Sequence, residues 1–196
     1  MYVRDAKNRE EVWLLDHIEA MGLDEMAFRS RDYVIAIDEV SNAKAGFGRI
    51  RIHKGEGDPV CELTSIGVLK GWRGQGVGAH VVERLVEHAK DQGFDRVYSL
   101  TDEPGYLIQF GFASIAEDAL PAALQTRIET KRENIAPDAT SVVLEVDDFE
   151  MPARLRERFK QARERDVSES DEPDETPEDF GIDPDSATYK YDTDRR

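Results

Sequence analysis

The stretch LTSIGVLKGWRGQGVGA, residues 63–79, determines most of the predicted fold. An apolar, strand-like run leads into a basic turn that contains Gly74, Gly76 and Gly78. After the turn, apolar residues recur at helical spacing. They are Val81, Val82, Leu85, Val86 and Ala89. A helix is therefore predicted to begin near Gly76, and its first backbone N–H groups have no partners within the helix.

These free N–H groups, the positive end of the helix dipole and the guanidinium of Arg73 together predict a phosphate-binding turn. A P-loop is excluded because the string GxxxxGK[ST] does not occur. Gly74-x-Gly76-x-x-Ala79 formally matches a dinucleotide fingerprint, but that fingerprint belongs to repeated β-α-β units. Here the short links between the strands before the turn favour an antiparallel meander.

The remaining pattern predicts an alternation of short strands and helices. Strands are predicted at residues 2–4, 33–37, 44–53, 60–68, 95–100, near 111–114 and at 141–146, and helices at 8–21, 76–92, 104–109 and 119–132. The strand before the glycine turn, the long helix and the strand after it form one right-handed parallel crossover.

The string RGQGVG, residues 73–78, follows ELTSIGV and precedes an apolar helix, and it resembles the acetyl-CoA motif of the GCN5-related N-acetyltransferase (GNAT) family. Phe110-Gly111-Phe112 is similar to the second signature of that family. The resemblance covers residues 33–114 well and residues 2–32 more loosely. With VYSLT, residues 97–101, the pattern is most similar to the branch that contains N-acetylglutamate synthase.

This resemblance implies an α/β fold of GNAT type, with a mixed, mostly antiparallel twisted sheet and helices on both faces, in an N-acetyltransferase domain at residues 1–150. It implies an acyltransferase that uses acetyl-CoA as co-substrate and moves the acetyl group directly to the amine of a small molecule. Among small molecules, an amino acid is the expected acceptor. No metal is implied. A protein or peptide acceptor, and a non-catalytic acetyl-CoA-binding regulatory module, stay open as alternatives.

The resemblance also implies where the cofactor lies. Its pantetheine arm is expected between the strands at 62–68 and 96–100, which the family splays apart. Backbone amides of three strand residues are expected to polarise the thioester carbonyl. Seven residues of the turn are expected to hold the pyrophosphate. The strand residues are Ile66, Gly67 and Val68, and those of the turn are Arg73, Gly74, Gln75, Gly76, Val77, Gly78 and Ala79.

For the chemistry, Glu62 occupies the position where some relatives keep a general base, the alternative being a solvated or salt-bridged carboxylate. Many relatives place a tyrosine acid where this chain has Leu107, and an asparagine that many relatives carry early in the second signature is missing too. Tyr106, one helical step away, is the candidate acid, with packing against the cofactor arm as the alternative. Tyr98 and protonation by solvent are further options.

Two arginines on one predicted strand, Arg49 and Arg51, are candidates to hold a substrate carboxylate, although alternate arginines also form salt-bridged strand faces. Cys61 could support a covalent acetyl-cysteine route, but it alternates with Glu62 along its strand and is predicted instead to be a core residue on the opposite face. The four histidines show no metal-ligand spacing. Among them, His80 is expected to be solvated on the polar side of the long helix.

The chain has 196 residues and a formal net charge of -16, which argues against nucleic acid as a partner. With 18 arginines and 8 lysines, it is typical of halophilic proteins from a high-salt cytoplasm, or simply of an acidic protein with an acidic tail. The single cysteine excludes an internal disulfide, and neither a signal peptide nor a membrane span is predicted. These features favour a cytoplasmic protein, with a homodimer left open.

The C-terminal part differs in composition from the domain. Residues 151–165 are rich in arginine and predict a helical extension. Residues 166–196 contain 12 acidic and 3 basic residues with three prolines, and therefore predict an acidic disordered tail.

Overall fold

Seven strands form one sheet in the computed structural model, which describes residues 1–55 and 57–166. Their order in that sheet is β1-β2-β3-β4-β5-β7-β6. They are β1 Tyr2–Asp5, β2 Tyr33–Ile37, β3 Lys44–His53, β4 Val60–Val68, β5 Arg96–Thr101, β6 Ala113–Ser114 and β7 Thr140–Glu145. Only β4 and β5 are parallel neighbours, so the sheet is mixed and mostly antiparallel, as predicted.

Helices cover both faces of this sheet, again as predicted. They are α1 Glu11–Ala20, α2 Val77–Asp91, α3 Pro104–Ile108, α4 Ala122–Asn134 and α5 Ala153–Lys160. The apolar stripe of α2 packs on one face against Cys61 and Leu63. On the opposite face α1 packs against Tyr33 and Phe47, and α4 packs against Leu100. Alternation along each strand therefore separates an α2 face from a face shared by α1 and α4.

Glycine in β3 allows α2 to approach the sheet closely. A Cβ atom built on Gly48 would lie 2.8 Å from Val81 Cγ1 and 3.0 Å from Leu85 Cδ1. Those two side chains belong to the apolar stripe of α2 and are fully buried. The first turn of α2 itself lies against the end of β4, since a Cβ on Gly78 would be 3.3 Å from Val68 Cγ2.

Three predicted helices differ from the structure by more than one residue at an end. The helix expected at 8–21 is α-helical only over Glu11–Ala20. The helix expected at 119–132 begins at Ala122, because Pro121 occupies its N-cap. In the arginine-rich extension only Ala153–Lys160 is helical, and residues 161–165 continue past it without regular structure beyond a turn. The predicted disordered tail lies outside the described residues beyond Asp166. No helix in the described ranges is long and apolar enough to cross a membrane.

We predict that Gly48→Ala lowers the free energy of unfolding by about 1–3 kcal/mol, because the new methyl group overpacks the interface with α2. Gly55→Ala is the matched control, since a Cβ there meets nothing within 4 Å, and it should stay within about 0.5 kcal/mol of the unchanged protein. Urea unfolding measures both. Equal stability of the two variants would contradict this description of the α2 interface.

Candidate active site

The turn between β4 and α2 presents a row of free backbone donors. Gly74 and Gly76 have φ values of 68° and 76°, in the left-handed region that favours glycine. Gly76 is the N-cap, and α2 begins at Val77. Among the described residues, none accepts a hydrogen bond from the backbone N–H groups of residues 74–79. The turn therefore has the geometry of an anion site at the positive end of a helix.

The side chain of Arg73 leans back over the preceding strand. Its Nε donates to the carbonyl of Val68 at 3.1 Å, and the side chain is otherwise exposed. One guanidinium nitrogen therefore fixes the turn to the end of β4. The charge of the group stays at the mouth of the turn, where phosphate oxygens would lie.

The C-terminal extension packs directly against this turn. Gln75 Nε2 donates to the carbonyls of Gly71 and Arg163 at 3.1 and 2.9 Å, and its Oε1 accepts from the N–H of Arg163 at 3.1 Å. A Cβ on Gly76 would lie 2.3 Å from the carbonyl oxygen of Leu155 in α5. The side chain of Gln75 therefore holds the extension, and only its backbone N–H stays free to bind a phosphate.

His80, predicted to be solvated, is instead half-buried against α5. Its ring stacks on Phe159 with centroids 3.7 Å apart, and this burial lowers the pKa of His80. The polar side of α2 thus contacts the C-terminal extension. Sequence periodicity alone could not indicate this contact.

The sheet opens between β4 and β5. The two strands pair at only three positions, Cys61↔Val97, Glu62↔Tyr98 and Leu63↔Ser99, although β4 continues to Val68 and β5 to Thr101. The predicted splay is therefore present in the structure. It begins directly after the pair that Leu63 and Ser99 form.

A β-bulge in β4 accompanies this opening. On the side of β3, Arg49 pairs with Thr64 and Phe47 with Gly67, so β4 carries one extra residue. Ser65, within the bulge, has a φ of 52°, and its hydroxyl donates to the carbonyl of Asp24 at 2.6 Å. The strand is thereby bent while its other edge stays paired with β3.

Glu62 is fully buried on the face shared by α1 and α4. Its Oε2 lies 2.7 Å from His53 Nε2 and 3.4 Å from Arg127 Nε. Burial favours a higher pKa, but the hydrogen bond from His53 and the charges of Arg127 and Lys131 outweigh it, so the pKa of Glu62 is lowered. Its Oε1 has no hydrogen-bond partner among the described residues. Glu62 is thus an ionised, salt-bridged carboxylate with one free oxygen.

The charges around Glu62 form one largely buried group that we call the charged cluster. Its members are Asp24, Arg49, Arg51, His53, Glu62, Arg127 and Lys131. Asp24 pairs with Arg127 and lies 3.9 Å from Arg49 and 4.0 Å from Arg51. Without counting His53, four cationic side chains share the cluster with two carboxylates.

The two arginines predicted to hold a carboxylate differ in their surroundings. Arg49 is 1% exposed, and its NH2 nitrogen donates to the carbonyl of Met26 at 2.7 Å, so it holds the loop after α1. The side chain of Arg51 is 20% exposed. Its NH1 nitrogen has no hydrogen-bond partner among the described residues. A role for either in substrate binding stays a prediction.

Sequence reasoning did not identify Asp24, Arg127 or Lys131 as site residues. The last two are spaced i, i+4 on α4 and so lie on one side of that helix. The pairing of β3 with β4 could also have indicated the cluster, because Arg51 and Glu62 are direct partners across these strands. No group of three or more His, Cys, Asp or Glu side chains in residues 1–55 and 57–166 could hold a metal ion.

Tyr106 lies near the glycine turn rather than beside Glu62. Its hydroxyl oxygen would be 2.5 Å from a Cβ on Gly78, and its ring meets Phe110 edge-on at 5.4 Å. Burial raises its pKa. Its assignment as an acid stays a prediction, and this position suits contact with an arm leaving the turn.

Cys61 and Tyr98 both pack in apolar surroundings. Cys61 lies in the core beneath α2, as predicted, and burial raises the pKa of its thiol to about 12. A thiol with that pKa is a poor nucleophile at neutral pH. The ring of Tyr98 lies among apolar residues under α4, with Leu100 and Leu124.

Known proteins share this fold and part of this sequence. The protein Rv2747 from Mycobacterium tuberculosis, solved with CoA, has a TM-score of 0.61 at 17% identity, over 74% of this chain and 98% of that one. N-acetylglutamate synthase from Neisseria gonorrhoeae, solved with coenzyme A and N-acetyl-glutamate, has a TM-score of 0.58 at 19% identity, over 74% of this chain and 34% of that one. At such identities the likeness shows the fold.

In sequence, mycothiol acetyltransferase from Thermobifida fusca is 29% identical over an alignment of 115 residues, and the match covers 48% of this chain and 36% of that relative. This chain thus spans only about a third of that curated relative. The model of the Acetyltransferase (GNAT) family matches residues 2–109, more than half of the chain, and includes the glycine turn and β4. The chain therefore belongs to the Acetyltransferase (GNAT) family.

Proposed function

We propose that this protein transfers the acetyl group of acetyl-CoA directly to the amine of a small molecule that also carries a carboxylate, such as an amino acid. One observation carries the proposal: the opening between β4 and β5 lies between the turn of free N–H donors and the charged cluster. Membership of the family and solved relatives that hold coenzyme A support acetyl-CoA as the co-substrate.

The cofactor would bind mainly through backbone groups. Its pyrophosphate would lie on the free N–H groups of residues 74–79, beside the guanidinium of Arg73. Its arm would pass Tyr106 and enter the opening along residues 66–68. Backbone amides there would polarise the thioester carbonyl and stabilise the oxyanion that forms on attack.

Glu62 is our candidate for the base that takes the proton of the attacking amine. Its carboxylate is ionised at neutral pH because its pKa is lowered, and its Oε1 is free to accept. It lies one residue before the point where β4 leaves β5. An amine placed between Glu62 and the thioester would therefore meet a proton acceptor and a carbonyl carbon together.

The charge of the cluster supports an anionic acceptor. Arg51 and Arg127 each keep an NH1 nitrogen that is buried without a hydrogen-bond partner among the described residues. A carboxylate would satisfy such donors and offset the excess positive charge. Because Arg49 is engaged by the loop after α1, we assign it to positioning and Arg51 to contact with the acceptor.

The acceptor is tested by comparing amino acids with the amines that they form on decarboxylation. In a thiol-release assay with acetyl-CoA, at low and high KCl, we expect activity with amino acids and at least about tenfold lower kcat/KM with the matched amines. Arg51→Met should reduce kcat/KM for the amino acid by at least about tenfold and leave that for the amine nearly unchanged.

The control for this pair is Arg96→Met, which removes an exposed arginine that pairs with Glu145 at the sheet surface. It should leave both substrates unaffected. Preference for peptides over free amino acids would contradict the proposed acceptor. Binding of acetyl-CoA without turnover on any amine would contradict the proposed enzyme.

Replacing the proposed base gives a prediction about pH. Because the pKa of Glu62 is lowered from its ordinary value, its carboxylate stays ionised in this range, and a decline in the wild-type rate from pH 9 to pH 5 should reflect protonation of the acceptor amine. Glu62→Gln should lower kcat about 10²-fold or more, and the deficit should grow as the pH falls. Glu145→Gln, on an exposed edge of β7, is the control. A pH–rate profile that Glu62→Gln leaves unchanged would remove Glu62 from the mechanism.

A pair of glycine variants tests the contact between the turn and α5. Gly74→Ala and Gly76→Ala both place alanine at positive φ, but only at Gly76 does the new Cβ collide with the carbonyl of Leu155. We expect Gly76→Ala to weaken CoA binding at least about tenfold more than Gly74→Ala, since α5 must move from the turn. Calorimetric titration with CoA gives both affinities. Equal losses would show that α5 does not support the site.

A further inference from the structure

Lys131 places a charge at the apex of the opening between β4 and β5. Its Nζ donates to the carbonyl of Leu100 at 2.5 Å and to the hydroxyl of Thr64 at 3.4 Å. These are the first residues of β5 and β4 beyond the pair of Leu63 and Ser99. The lysine is 8% exposed, so its ammonium group is held inside the protein at the point where the strands part.

Lys131 also faces the free oxygen of Glu62. The distance from its Nζ to Glu62 Oε1 is 4.0 Å, and that oxygen is the one without a hydrogen-bond partner among the described residues. A movement of about 1 Å, or one bridging water, would make this contact a hydrogen bond. The two groups can therefore exchange a proton without a large rearrangement.

We propose that Lys131 is the acid that protonates the thiolate of coenzyme A as it departs, and that Glu62 returns the proton to it. This inference rests on the proposed function. The amine nitrogen forms a bond to the acetyl carbon, the C–S bond breaks, and its electron pair goes to sulfur. Lys131 gives a proton to that sulfur, while Glu62 takes one from the amine and then passes it to Lys131. The products are the amide and the free thiol.

The surrounding charges suit this role. Those that act on Lys131 come from Glu62 on β4, Arg127 on α4, Asp24 in the loop after α1 and Asp102 after β5. Burial lowers the pKa of Lys131, while the nearby carboxylates oppose the shift without cancelling it. The pKa of Lys131 is thereby closer to that of a thiol, which is about 8.5 for cysteine. Two groups with similar pKa values exchange a proton readily.

The positions that the sequence suggested for the acid are less well placed than Lys131. Leu107 stands where many relatives carry a tyrosine, and the hydroxyl of Tyr106 lies over Gly78. Lys131 belongs to α4, which lies outside residues 2–109 that match the family. It is therefore a feature of this chain beyond the part that the family match covers.

The product complex tests the proposal without an acceptor. An ammonium group beside the sulfur stabilises the thiolate, so the thiol of CoA bound to the unchanged full-length protein should titrate at least about one pH unit below that of free CoA. The ultraviolet absorbance of the thiolate reports the titration. Lys131→Met should remove this shift, and Lys90→Met, an exposed lysine on α2, should retain it.

Kinetics separate an acid from a structural cation. Lys131→Arg keeps the charge, so it should retain the shifted thiol titration, but it should lower kcat about 10²-fold because guanidinium does not release a proton. Full activity of Lys131→Arg, or an unshifted thiol in the unchanged protein, would overturn the assignment even if Lys131→Met fails to fold. If the unchanged protein binds no CoA, the proposed function itself fails, and this inference with it.

Discussion

The parting of β4 from β5 after three residue pairs is the constraint on which the rest of the site depends. A buried strand edge leaves carbonyl and N–H groups that need partners. The bulge at Ser65 bends β4 away, and the bond from its hydroxyl to Asp24 holds the bend. On β5, Lys131 supplies the partner for the carbonyl of Leu100. The opening is thus a stable part of the fold.

Burial of the charged cluster has a cost that pairing must offset. Removing charges from water is expensive, and their mutual attraction offsets this cost only where the pairing geometry is good. Here the carboxylates of Asp24 and Glu62 neutralise only part of the positive charge. The remaining excess is consistent with a site that is completed by an anion. It also keeps Glu62 ionised, which a lone buried carboxylate would not be.

The cationic site contrasts with the rest of the molecule. The chain carries a net charge of -16, so at low ionic strength its field opposes the approach of an anionic coenzyme. Salt shortens the range of that repulsion to about a Debye length while leaving contacts within the site nearly intact. High salt would therefore help the coenzyme to reach the protein without weakening its contacts in the site. This behaviour suits the acidic composition of the chain.

Local pattern was enough to predict the sheet, the crossover and the glycine turn, because these depend on short-range periodicity and on residues with special backbone freedom. The charged cluster was predictable only in part. Arg51 and Glu62 lie on strands whose alternation is visible. Arg127 and Lys131 lie on α4, whose sequence predicted a helix but not the burial of these two charged side chains. Gln75 was predicted as a phosphate residue, but its side chain binds Arg163, a contact between residues distant in sequence.

A crystal structure of the protein with coenzyme A would test the central claim most directly. We predict that the pyrophosphate lies on the N–H groups of residues 74–79 and that the sulfur lies between Thr64 and Leu100, within hydrogen-bond distance of Lys131 Nζ. A cofactor bound elsewhere, or one whose sulfur lies outside the opening between β4 and β5, would contradict this account.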